Sequence, residues 1–466
     1  MRHIKKIGSL FFGFLGSILF IAALAAPNLT ARQNVRNDPP TIAPGSAYQV
    51  RTLLSDIPGL APVLDPLLVN PWGIAESNTS PFWISNNRTG TTQLVRGGAG
   101  GSPVVLNTSP QTVNIPGSLP TGVVFNATSD FQITPPGGGS PAKANFIFAS
   151  ITGNITAWNG SSGGAAQIAK NLPGHVWTGL AIGDNSGGNR LYAADFANNQ
   201  IDVFDGAFNV VATTGNFADG TIPAGFAPYN IQNLGGSLYV TYAKASPGAA
   251  VNGPGLGYVR KFSTDGVRDA SFAIDQGVLD APWGLAIAPA SFGAFSDKLL
   301  VGNFSDEGFI SAYDPATGAA FVPTDLNDNR LIDESGNPIE IDELWSLTFG
   351  NGGNGGDSNT LYFTAGTAEE EHGLFGKITP TTAQATSLIQ FASSDFSVFE
   401  GDGHIDFTVI RDGDTSGPAT VNYNTFDSSQ SGNASQKSDY EIAEGTITFA
   451  PGETSKTFRV LIVNDS

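Results

Sequence analysis

Between Trp72 and Lys377 the chain repeats itself about every 50 to 60 residues, and each repeat reads as several short strands, the period of β-propeller blades. Six units open alike, on a small or aromatic turn and a short apolar strand. They are NPWGIAES from Asn70, PTGVVFN from Pro120, WTGLAIG from Trp177, APYNIQN from Ala227, APWGLAIAP from Ala281 and ELWSLTFG from Glu343. A second, more apolar run follows each opening: FWISN, FIFAS, LYAADF, LYVTYA, LLVGNF and LYFTAG. Near-continuous apolarity marks strands covered on both faces. Third segments alternate more clearly, as in NITAWNG, QIDVFDG, GYVRKFS, GFISAYDP and GLFGKITP, and several end in Asp-Gly, Asn-Gly or Asp-Pro turns.

Polar stretches such as Asn209 to Asn216 and Ala319 to Thr324 are expected to supply outer, fourth strands. The last repeat lacks one, because it runs into a linker after Pro380. YQVRTLLSD, from Tyr48 to Asp56, has strand composition, stands ahead of the first repeat, and is expected to complete the sixth blade. That closure leaves only short, protected strand edges. From Leu388 the pattern changes: SLIQFASSDFSVFEGDGHIDFTVIRDG reads as two alternating strands around an acidic, Gly-rich turn, the start of a second domain.

Composition agrees with a turn-rich, all-β chain: 466 residues hold 58 Gly and 29 Pro, with 14% charged. No Cys is present, which removes disulfides, thiolate zinc sites and cysteine nucleophiles. The formal charge is 22 − 41 = −19, a balance that repels phosphate backbones and argues against nucleic-acid binding. At the N-terminus Arg2, Lys5 and Lys6 precede an apolar run from Ile7 to Ala26, and Ala23-Leu24-Ala25 has the small-x-small form of a signal-peptidase site. Export is the expectation. The alternative is an uncleaved anchor, since about 20 apolar residues can span a bilayer.

Candidate chemistry is sparse. The chain has no Walker loop or H-E-x-x-H, and its Gly-rich stretches at Gly97 and Gly350 read as loops. Second-strand ends offer Asn86, Asp195 and Asn303, and the sixth repeat adds the loop Glu369, Glu370, Glu371 and His372. Around a propeller channel, carboxylate and imidazole groups could bind a ligand or metal or move protons. Asn and Asp at strand ends also satisfy turn amides, and His175, ahead of Trp177, reads as a packing residue. Asp325, Asn327, Asn329 and Asp333 follow an EF-hand spacing, but Arg330 stands where Gly is needed and Gly336 where a bidentate Glu is needed, so a solvated loop is expected.

Two resemblances extend this reading. NPWGIA, FWISNN, PTGVVFN, LYAADF, IDVFD, APYNIQ, LYVTYA, APWGLAIAP, LLVGNF, LWSLTFG, LYFTAG and EHGLFGKI resemble a bacterial family of conserved hypothetical proteins, some of which carry a PEP-CTERM sorting signal. The resemblance implies an exported propeller over about Tyr48 to Pro380 and names no substrate; fold alone does not give function. The tail resembles the Calx-beta domain of sodium/calcium exchangers and adhesion proteins through FSVFEGDG, TVNYNTFD and SDYEIAEGTITFAPGETSKTFRVLIVND. It implies calcium ligands near Glu400, Asp427, Asp439 and Asp465, in a sandwich that continues past Ser466 in such domains and so reads as truncated here.

The expected organisation is therefore a signal peptide over 1–26, a linker over 27–47, a six-bladed β-propeller over 48–383 and an incomplete, immunoglobulin-like Calx-beta sandwich over 388–466. The expected role is a secreted or cell-surface, non-catalytic binding or scaffold module. Its ligand is read as an extracellular glycan, peptide or small molecule, and calcium as its one candidate cofactor. The competing expectation is a metal-assisted lactonase or lyase built on Asp195, Asn303 and the Glu369 to His372 loop.

Overall fold

The computed structural model describes residues 45–466 except 118, 247, 248, 325, 327, 382–387, 394, 395, 397, 414, 416, 426–433, 435, 465 and 466. The signal-peptide region and most of the expected linker lie outside the described residues. The described chain is all-β with a few short 3-10 turns, and it divides into compact units at 45–382 and 383–466.

The first unit is a β-propeller. Six sheets, antiparallel but for the parallel outer pair of Tyr48–Ser55 with Val63–Leu64, begin with the strands Pro71–Ala75, Pro120–Phe125, Trp177–Asn185, Phe226–Leu234, Pro282–Ile287 and Leu344–Phe349. Each first strand touches the next in chain order, and the sixth touches the first. The ring closes on Tyr48–Ser55, which runs antiparallel to Leu374–Pro380 from Tyr48 opposite Pro380 to Ser55 opposite Leu374. Tyr48 is wholly buried beyond this seam, its hydroxyl donating to the Phe292 carbonyl at 2.7 Å.

The opening motif has a steric explanation. The residue following Trp72, Thr121, Thr178, Tyr229, Trp283 and Trp345 is Gly73, Gly122, Gly179, Asn230, Gly284 and Ser346, where neighbouring first strands converge on the axis. A Cβ at Gly73 would stand 2.6 Å from the Thr121 carbonyl, at Gly122 2.4 Å from the Leu180 amide, and at Gly284 2.5 Å from the Trp345 carbonyl. Asn230 instead uses its side chain, donating from Nδ2 to the Trp283 carbonyl at 2.8 Å. In every sheet the pairing of first and second strands shifts register near this end, the mark of a β-bulge.

Apolar burial is distributed between blades. Phe131, Ile147, Trp177 and Phe204 fill one interface, while Tyr192, Phe217, Ile231 and Tyr258 fill the next. The outer strands depart from expectation in two blades. Asn209 to Asn216 and Ala319 to Thr324 contribute only isolated bridges, Phe204 to Val210 and Tyr313 to Ala320, so those sheets have three strands. Side-chain oxygens of Asp205 and Asp314 take up amides of Asn209 and Thr317, replacing ladder bonds with turn bonds. The two Gly-rich loops, far apart in sequence, meet through a Gly97 to Gly355 bridge and the Gly97 amide on the Asn354 carbonyl at 2.9 Å.

In the second unit Leu388–Phe391, His404–Asp412 and Ser455–Leu461 form one antiparallel sheet, and Ala419–Asn424 pairs with Glu444–Phe449. Alternate residues turn inward, and Phe407, Val409, Tyr440, Phe449, Phe458 and Val460 share a core. The alternating pattern expected of a sandwich is thus present.

Candidate functional site

The six first strands surround an axial channel of about 420 Å³, lined mainly by apolar residues, from glycine to Phe125 and Trp283, with the amides of Asn230, Gln232 and Asn233. Where these strands begin, aromatic rings fill the axis. Trp345 stacks on Trp72 at 3.6 Å and on Phe304 at 4.0 Å, and Trp283 stands edge-on to both tryptophans. Trp345 donates its indole N–H to Asn70 Oδ1 at 2.9 Å, and Trp283 donates to the Thr178 carbonyl at 3.0 Å. Trp72 Nε1 is buried without a partner among the described residues, and the stacked and edge-on rings together make a rigid plug.

Beside the plug lie Glu343 and Glu370. The backbone takes three successive left-handed residues, Ala368, Glu369 and Glu370, with φ of 59°, 57° and 61°. That conformation costs roughly 1–2 kcal/mol per residue. The turn is held by Asp342 Oδ2 on the Ala368 amide at 2.8 Å, by Glu343 Oε2 on the Glu370 amide at 2.6 Å, and by an Arg88–Glu371 ion pair at 3.1 Å. Burial pushes the Glu343 carboxyl up to about 7; the Glu370 amide opposes this, and neighbouring Asp342, Glu370 and Asp306 add to it. Glu370 is also raised by burial, against the pull of Arg88.

The residues expected at the channel mouth do not converge. Asn86, wholly buried, donates from Nδ2 to Thr91 Oγ1 at 3.1 Å. Asn303 accepts the Asp280 amide at 3.0 Å and donates to the Val278 carbonyl at 2.9 Å, pinning the entry to its own blade. His372 pairs through Nδ1 with Asp56 Oδ2 at 2.8 Å, while Asp56 Oδ1 accepts the Gly373 amide at 2.9 Å, so both serve the seam.

Asp195 is different. Its Oδ1 accepts the Val176 amide at 3.1 Å, and its Oδ2 lies 2.7 Å from His175 Nδ1. The same Nδ1 is 2.8 Å from Asp202 Oδ2. His175 does rest against Trp177, with centroids 5.5 Å apart, but its polar contacts go beyond the expected packing role. Sheet register explains the cluster: Trp177 stands opposite Asp195 and Ala193 opposite Asp202, so residues 27 apart in sequence share one face. Among the described residues this is the one group of three or more His, Cys, Asp or Glu able to hold a metal.

In the second unit the backbone gathers a portion of the expected calcium set at one end. The Ile462 amide donates to the Gly403 carbonyl and the Val463 amide to the Asp439 carbonyl, both at 3.0 Å. This brings the turn Glu400–Asp402 and Asp439 beside the end of the last strand. Asp427 and Asp465 lie outside the described residues, as do Asp325 and Asn327 of the EF-hand-like loop. In that loop Asn329 donates to the Ala312 carbonyl at 3.2 Å and Asp333 accepts the Ser335 amide at 2.8 Å, as turn residues do.

Glu76, after the first strand of blade one, carries a testable pH effect. Its Oε2 is covered and has no hydrogen-bond partner among the described residues, and burial raises the carboxyl to about 8 against a weak bond from Thr348. The folded chain keeps a proton that the unfolded chain has lost above its ordinary value of 4.5. Stability is therefore expected to fall between pH 5 and pH 8, by at most about 1.4 kcal/mol per pH unit for this group. Glu76→Gln should flatten that slope in urea melts; an unchanged slope would place the proton elsewhere.

A family model, the Calx-beta domain, matches residues 383–466. Sodium/calcium exchanger 1 of Canis lupus familiaris is 40% identical over 80 residues, 17% of this chain and 8% of the exchanger. Streptogramin B lyase, a solved structure, is 12% identical with a TM-score of 0.37 over 71% of this chain and 97% of that one. An uncharacterized protein of Acanthamoeba polyphaga mimivirus is 32% identical over 346 residues, 72% of this chain and 80% of the viral one. A second from the same virus is 30% identical over 344 residues, covering 72% and 86%. The chain belongs to one family with these two uncharacterized mimivirus proteins, and it carries a Calx-beta domain at its C-terminal end.

Proposed function

We propose that this chain is an exported or cell-surface binding module whose propeller takes an extracellular ligand without chemistry and whose Calx-beta domain binds calcium and acts as a tether. The observation that carries the reading is the axial channel, plugged by buried aromatic rings at one end, with amide rather than carboxylate side chains along its lining. Apolar walls with a few amides suit an uncharged ligand held by shape and hydrogen bonds. The dispersal of Asn86, Asn303 and His372 over separate blades, each engaged in loop bonds, supports binding over catalysis. The bacterial, PEP-CTERM-associated resemblance favours export. Among the described residues no helix is long and apolar enough to cross a membrane.

The test is a thermal-shift screen of the full chain against neutral oligosaccharides, short peptides and lactones. A melt-shifting compound is expected to lose its effect in Gln232→Trp, which narrows the channel, while the unliganded melt stays put. Turnover of a lactone or streptogramin above the metal-only background would overturn the non-catalytic reading. In parallel, calorimetric heat with Ca²⁺ should weaken in Asp439→Asn; no heat in either protein would remove the calcium role.

A further inference from the structure

We infer that His175, Asp195 and Asp202 form a binding site for one borderline divalent cation of the zinc type, on a single blade and independent of the Calx-beta domain. The first argument is charge. Asp195 is 0% and Asp202 6% exposed, and among the described residues no Lys or Arg comes within ion-pair distance of either. Buried carboxylates need a partner, and the one on hand is an imidazole that brings at most one positive charge against two negative ones.

Geometry gives the second argument. A single Nδ1 stands 2.7 Å from one Oδ2 and 2.8 Å from the other. It carries at most one proton, which two acceptors must share. A cation in that place would satisfy all three donor atoms, which lie within 4.8 Å of one another. Metal–donor distances of about 2.0–2.2 Å ask tetrahedral donors to stand about 3.4 Å apart. The ligands would thus separate by roughly half an ångström, within reach of a small swing of the partly exposed His175 ring.

A ring of outer donors orients the two carboxylates, as metal ligands require. Trp177 Nε1 donates to Asp202 Oδ2 at 2.7 Å and Gln200 Nε2 to Asp202 Oδ1 at 2.8 Å. Asn198 Nδ2 donates to Asp195 Oδ2 at 2.7 Å, and the Val176 amide to Asp195 Oδ1. One imidazole with two carboxylates, leaving a fourth position toward solvent, suits zinc or its cobalt surrogate. Calcium wants six to eight oxygens and is poorly served.

The experiment is a Co²⁺ titration of the full chain at pH 7.5, read by visible absorption and repeated with Zn²⁺ and Ca²⁺ as competitors. One Co²⁺ per chain with tetrahedral bands, displaced by Zn²⁺ and not by Ca²⁺, is expected. His175→Gln and Asp202→Asn should each weaken uptake about 100-fold or more, ligand loss costing at least as much as outer-shell loss, while Glu343→Gln leaves it unchanged. Metal-free melts establish that each variant folds. Absence of Co²⁺ and Zn²⁺ uptake by the unaltered chain overturns the assignment whatever the variants do, leaving the cluster a hydrogen-bonded ion pair; uptake undiminished in both variants does the same.

Discussion

Trp345→Ala is expected to lower the stability of the propeller by about 3–5 kcal/mol, the range for truncating a buried aromatic. Trp345 is wholly buried, stacked between Trp72 and Phe304 and approached edge-on by Trp283. Its removal opens a cavity where all six first strands begin and leaves Asn70 Oδ1 without its indole donor, so packing and polar losses add. Trp345→Phe keeps the stack but loses that bond and should cost about 1–2 kcal/mol. Urea melts followed by tryptophan fluorescence suit the comparison, since all six Trp lie between Trp72 and Trp345 and report the propeller alone. A loss below about 1 kcal/mol for the alanine variant would mean that the plug does not hold the ring together.

Gly122→Val is expected to cost about 3 kcal/mol or more, at the upper end of overpacking effects. The reason is backbone proximity. A Cβ there would meet the Leu180 amide at 2.4 Å and the Gly179 carbonyl carbon at 3.0 Å, atoms of the neighbouring blade that cannot rotate away. Gly164→Val is the control, because nothing stands within 4 Å of a Cβ at that position. Similar losses in both variants would assign the effect to glycine's own conformational freedom rather than to the approach of strands at the axis.

The features of this molecule that were legible in the sequence are those set by local sterics and period. NPWGIA and its five relatives announce themselves because Gly, Asn or Ser stands at one shared place near the axis, Gly73 in the first, and FIFAS or LLVGNF because a strand between two blades is apolar on both sides. The seam was legible through composition, YQVRTLLSD being a strand without a local partner. The outer strands were not, since Asn209 to Asn216 has strand-like length but turns its Asn209 amide onto Asp205 and keeps only an isolated bridge at Val210. Nor was the cluster around Asp195. It depends on the register of three strands, and neither His175 nor Asp202 stands out until Trp177 is placed opposite Asp195. The left-handed turn at Ala368 to Glu370 escaped for another reason: it is imposed by Asp342 and Glu343 from outside and opposed by the residues' own preference.

The seam also decides how the propeller answers a mechanical load. Tyr48 enters the closing strand opposite Pro380, where the last strand leaves, so the chain departs in both directions from the same end of one antiparallel pair. Tension between the two exits falls first on the bonds just outside that pairing, the Ala294 amide on the Gly45 carbonyl and the Thr381 amide on the Ala47 carbonyl, and then on each rung from Tyr48–Pro380 toward Ser55 and Leu374 in turn. The bonds of the seam would break in succession, like a zip, and not all together as in a pair pulled in shear. Force along the chain is therefore applied to the closure itself, and it opens the ring at the blade built from both ends of the propeller.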